Sequence, residues 1–138
     1  MNIKLIIIII SLSYTLTYLV GCKKVTYATN GETIFKTGKN KSGKVLQNID
    51  KSSMKMAHSC SSCHGNDGSG GSMMENTPSI KYNDLTNPAL HNIPYTEELI
   101  KRFLDHELKS DSTVANTGVV FEMDETDKND LITFLKTL

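Results

Sequence analysis

The sequence predicts an all-α domain, with few helices, long loops, and a core that its own side chains do not complete. Three observations lead there. The chain ends on "TDKNDLITFLKTL", where Leu131, Phe134, Leu135 and Leu138 fall at i, i+3, i+4 and i+7 and make one helical stripe. Residues 96–108, "TEELIKRFLDHEL", repeat the pattern with Leu99, Ile100, Phe103, Leu104 and Leu108, behind a Thr96 cap and the early acids Glu97 and Glu98. Between such segments the loops are long and the apolar content is thin. A small domain of this kind usually needs a metal or cofactor to finish its core.

In chain order, the first element is a leader. "MNIK" gives a positive start, "LIIIIISLSYTLTYLV" an apolar run and "LVGC" its end. Residues 5–20 are short for a membrane span, which takes ~20 residues. The ending resembles a bacterial lipobox, which implies lipidation of Cys22 and a protein held to a bacterial membrane facing the periplasm. A retained anchor or plain signal is the alternative. The expected organisation is a signal peptide over 1–21, a tether over 22–30 and one domain over 31–138. Which membrane, inner or outer, stays open.

After the tether, Gly31, Gly38 and Gly43 punctuate a polar stretch. This predicts a small hairpin pairing Ile34–Phe35 with Val45–Leu46. Residues 50–60, "DKSSMKMAHSC", predict a short helix capped by Asp50 or Ser52. A Gly-rich loop follows, then an irregular stretch with Pro88 and Pro94, then the two amphipathic helices separated by a loop over 109–123.

Charge and cysteines narrow the function. Lys+Arg and Asp+Glu both number 15, so nothing points to nucleic acid. The charges are uneven along the chain. Residues 23–55 hold eight Lys against Glu32 and Asp50, and residues 97–130 hold ten acids against four bases. A basic tether suits an anionic lipid surface, and an acidic patch would attract a basic docking surface on a partner protein. There are three cysteines, Cys22, Cys60 and Cys63. If Cys22 carries lipid, only the pair in "HSCSSCHG" remains.

Two thiols three positions apart, followed by His64, have three readings. A zinc site needs four ligands, and no second Cys or His pair stands at ligand spacing. A thioredoxin-like dithiol would follow a strand in a βαβ pattern, which is not found here. Attachment of haem c explains the spacing. Cys60 and Cys63 add to the two vinyl groups on one side of the porphyrin, and His64 comes under the iron as a ligand through Nε2. One covalent haem would also supply the missing core.

"CSSCHGNDGSGG" resembles the "CxxCHGxxGxG" of class I c-type cytochromes. "TNGETIFKTG", "MKMAHSCSSCHG", "IPYTEELIKRFL" and "DLITFLKTL" are similar to successive blocks of one bacterial monohaem type, so the likeness spans about residues 30–138. It implies the cytochrome c fold, with the terminal helix packed back on the Cys60 helix. It also implies that Met123, on the loop before that helix, is the sixth iron ligand. Met73, Met74, His91 and His106 are the competing ligands. The resemblance further implies that the Pro78 carbonyl holds the other ring nitrogen of His64. Tyr82 and Tyr95 are at most candidates for a propionate. The sequence departs from the family at "EMDE", where "MP" is usual, and it has no Trp.

No catalytic constellation is present, so no small-molecule substrate is expected. The implied function is a membrane-tethered carrier of single electrons between respiratory redox partners. The alternatives are an electron-entry subunit of a larger oxidoreductase, or a ligand sensor or peroxidase-like protein with an open sixth position.

Overall fold

The computed structural model describes residues 25–55, 59–71 and 76–138. The leader with Cys22, the segment containing Met56 and His58, and Met73 and Met74 lie outside the described residues. Five helices follow in order: α1 (Asn30–Thr37), α2 (Cys60–His64), α3 (Tyr82–Leu85), α4 (Glu97–His106) and α5 (Glu125–Leu135). Among the described residues there is no sheet, only isolated bridges.

α1 replaces the expected hairpin. Thr29 caps it by accepting the Glu32 N–H at 3.0 Å, and the Glu32 carboxylate reaches back to the Ala28 N–H at 2.9 Å. Gly38, at φ 66°, ends it in the left-handed conformation. Asn30, assigned to the tether from sequence, is the first residue of this helix. Ile34 and Phe35 are adjacent, so one looks like an inward and one like an outward strand position. On a helix of three turns or fewer, both reach the core, and both are fully buried.

Gly31 explains why α1 and α5 lie so close. A Cβ placed on it would stand 2.0 Å from the Asp130 carbonyl oxygen and 2.8 Å from the Phe134 Cβ. Backbone meets backbone here, and no flexible side-chain end can yield. Gly31→Ala is expected to destabilise the folded domain by about 1–3 kcal/mol or more, the range for overpacking a tight contact. Denaturant unfolding of holoprotein checks this, and an unchanged midpoint would refute the close crossing.

The segment expected to be helical over 50–60 is instead a turn-rich run up to residue 55, and α2 begins only at Cys60. Its cap is Ser59, not Asp50 or Ser52. Ser52 is buried for another purpose: its hydroxyl donates to the Asn48 carbonyl at 2.6 Å and accepts the Val120 N–H at 3.0 Å.

α4 and α5 form where the stripes place them, but each stops short of the last stripe residue: Leu108 pairs with Val114 in an isolated bridge, and Leu138 lies beyond α5. Thr96 caps α4 and Asp124 caps α5. Ile34, Phe35, Leu46, Leu131 and Leu135 make the main core cluster, and Leu85, Ile100 and Ile132 a second one. Ile132 lies off the stripe read from sequence, because α5 is covered on two sides, by α1 and by α4. The terminal helix therefore packs chiefly on α1, and α1 in turn on α2, while the Cys60 helix, which the resemblance places against it, meets it at the edge of the cluster that holds Leu131 and Leu135. Eight buried apolar side chains among the described residues are few for a domain this size, in keeping with a core that an added group completes.

α5 also buries polar groups. The Asp127 carboxylate accepts the side-chain amides of Asn30 at 2.9 Å and Asn40 at 3.2 Å. Lys128 runs its stem through the interior, and its ammonium emerges between Asp105 at 2.8 Å and Glu125 at 2.5 Å. These carboxylates hold the Lys128 pKa above its ordinary value.

Candidate haem-binding site

α2 carries both thiols and the imidazole within five residues. The Ser59 Oγ accepts the Ser62 N–H at 3.3 Å and starts the turn. Gly65, at φ 76° and ψ 166°, stops it in a conformation that side chains rarely adopt. The helix is fastened to α1: the Lys36 ammonium donates to the Asn66 carbonyl, and the Ser61 hydroxyl reaches the Lys36 carbonyl at 3.5 Å.

Cys60 and Cys63 are both free thiols. Cys60 keeps part of its surface in solvent, yet burial around the thiol pushes its pKa up to about 12. Burial raises Cys63 as well. Thiols built for redox exchange are shifted the other way, toward thiolate, by nearby positive charge or a helix N-terminus. Among the described residues no group of three His, Cys, Asp or Glu side chains could hold a metal ion. α2 thus sets the two thiols one helical turn apart, as thioether attachment needs, with Cys60 against the apolar core.

The His64 Nδ1 lies 2.8 Å from the Pro78 carbonyl oxygen. A carbonyl can only accept, so Nδ1 carries the proton and the Nε2 lone pair is free for a metal. Burial lowers the His64 pKa, with the Pro78 contact acting against it, and the net effect favours the neutral ring that a ligand must be.

Met123 is half-buried and packs against the same apolar cluster as Cys60. It lines an open groove of about 490 Å³ with Lys44, Asp105, His106, Phe121, Glu122 and Asp124. The loop that delivers it has no proline, but it is laid along residues 46–54. Glu122 N–H donates to the Leu46 carbonyl at 2.8 Å, Asn48 N–H to Val120 at 2.8 Å, and Met54 N–H to Gly118 at 2.8 Å. Asn48 and Lys51 then hold the Glu122 carboxylate at 2.7 and 2.9 Å. Sequence reading missed this strap, because backbone pairing across seventy residues leaves no local signature.

A family model, that of cytochrome c, matches residues 28–138. The chain belongs to the cytochrome c family. No curated protein and no solved structure matches it at a significant level. The cytochrome c fold is all-α, as here, and the family is one of haem-based electron-transfer proteins with covalently bound haem c. The residues present fit that group. Two protonated, unpaired thiols share one turn, and the adjacent neutral imidazole is held at Nδ1 by a backbone carbonyl.

The other residues weighed from sequence divide between the site and its surroundings. His91 packs edge-on against Tyr95 at 5.3 Å. His106 is exposed at the end of α4, on the rim of the Met123 groove. Tyr82 lies under the Lys136 ammonium at 5.0 Å, and Lys136 also pairs with Glu97 at 2.6 Å. That ties α3, α4 and α5 together and gives Tyr82 a structural partner.

Proposed function

We propose that this cytochrome is a membrane-tethered, single-haem protein of class I that passes single electrons between respiratory redox partners. The observation that carries the proposal is α2 itself, with Cys60 and Cys63 one turn apart and His64 held through Nδ1 by Pro78. When bound, haem c supplies an iron that alternates between Fe(III) and Fe(II). The chain's own residues do the rest. Cys60 and Cys63 would hold the group covalently, His64 would ligate its iron through Nε2, and Pro78 fixes the tautomer and orientation of the ring. Met123 would supply a soft thioether as the second protein ligand. Absorption spectra of purified holoprotein, oxidised and reduced, test the haem type and both axial ligands together. A spectrum without a low-spin haem c would refute the reading.

The tether rests on the leader sequence and its closing "LVGC". Among the described residues no helix is long and apolar enough to cross a membrane. Cys22→Ser is expected to release the protein from membranes or block its processing. If the variant still fractionates with membranes after a high-salt wash and is processed normally, Cys22 is not the anchor.

The partner surface is proposed at the Met123 groove. The fold interleaves the charges that the sequence segregates: Lys51 meets Glu122, Lys101 and Lys128 meet Glu125, and Lys44 enters the groove. Asp105 and Glu122, each already paired with a lysine, and Asp124 form the acidic rim offered to a basic partner. Such a rim steers a short-range encounter more than a long-range one, since the paired lysines offset part of its charge and salt screens the rest beyond about 8 Å.

A further inference from the structure

The loop after α2 folds back on itself as a clasp. The Gly70 N–H donates to the His64 carbonyl at 2.8 Å, the Gly71 N–H to Thr77 at 3.0 Å, and the Ile80 N–H to Gly68 at 2.8 Å. Pro78 sits inside the clasp, between Thr77 and Ile80, with its carbonyl on His64 Nδ1. Gly70 and Gly43, the latter in the loop after α1, both have positive φ, 89° and 88°. Their surroundings differ. A Cβ on Gly70 would stand 2.2 Å from the Thr77 oxygen and 2.8 Å from the carbon and oxygen of the Pro78 carbonyl, whereas among the described residues a Cβ on Gly43 meets nothing within 4 Å.

We infer that Gly70 is a positioning residue for the iron ligand: its bare Cα lets the Thr77–Pro78 backbone close down until the Pro78 carbonyl reaches His64. The inference rests on His64 being the ligand. Gly70 also bonds the His64 carbonyl, so one residue sets both ends of the contact. The contact has an electronic consequence. A strong acceptor at Nδ1 makes the ring more basic at Nε2 and favours the ferric iron. A methyl group on Gly70 wedges the Pro78 carbonyl away, weakens that donation and raises the reduction potential.

The test compares Gly70→Ala with Gly43→Ala in holoprotein. Both variants carry the backbone strain of a left-handed alanine, and only the first carries the clash. Gly70→Ala is expected to raise the potential and to speed hydrogen exchange at His64 Nδ1 about tenfold, the factor for losing one hydrogen bond's protection. Gly43→Ala is expected to leave both at wild type. Equal shifts in the two variants, or no shift in Gly70→Ala, would overturn the inference. If Gly70→Ala does not mature with haem, Ser79→Ala decides. The Ser79 hydroxyl reaches the Gly68 carbonyl at 3.2 Å and the Asp84 carboxylate at 2.6 Å, and its loss loosens the clasp without strain. A smaller shift in the same direction supports the clasp, and wild-type behaviour overturns it. Failure of the ligand assignment itself reads out separately, as an unchanged absorption spectrum in His64→Ala.

Discussion

A chain with Cys60→Ser and Cys63→Ser together is expected to retain no haem on a denaturing gel and to fold poorly. Serine keeps the size and helical geometry of both positions, so α2 loses only its sulfur nucleophiles. No thioether can then form, and any haem held by His64 alone is lost on denaturation. The folding defect follows from the small core. The buried apolar side chains gather in two clusters, and Cys60 packs at the edge of the first. Each buried aliphatic or aromatic side chain contributes about 1.5–3 kcal/mol, so a core this small is sensitive to the loss of any group that adds to it. Covalent haem persisting in the double variant would remove the attachment site from α2.

Met123→Ala has the second large effect. The oxidised wild-type protein is expected to show the weak near-infrared band of a His/Met haem, and the variant to lose it. If Met123 is the ligand, its removal is expected to lower the potential and to let cyanide or carbon monoxide bind quickly, because a thioether favours Fe(II). Met123→His is expected to keep the iron six-coordinate at a lower potential. The departure of "EMDE" from the usual "MP" raises the possibility of a loose ligand. The strap over residues 46–54 argues for a firm one, since three backbone hydrogen bonds and the Glu122 contacts hold the loop to within one residue of Met123. If wild type lacks the band and binds carbon monoxide readily, the iron is open. The carrier reading then yields to a sensor or peroxidase-like function.

The sequence alone determined what is local. CxxCH names its chemistry because two thiols and an imidazole must lie within one turn to serve one porphyrin. α4 and α5 were legible from their stripes and caps, because a helix at least ten residues long repeats its buried face several times. The family resemblance added the pairing of Pro78 with His64 and the candidacy of Met123. The tertiary structure decided what depends on distant partners. α1 is short, and its hydrophobic pair Ile34–Phe35 fits a strand as well as a helix until α5 comes to rest against Gly31. Asp127 and Lys128 are buried because Asn30, Asn40 and Asp105 arrive from elsewhere in the chain. The halves of opposite charge interleave for the same reason. Backbone pairing and steric contact between segments far apart in sequence have no periodicity to read. That is why the strap behind Met123 and the glycine seat beneath Pro78 emerged only from the fold.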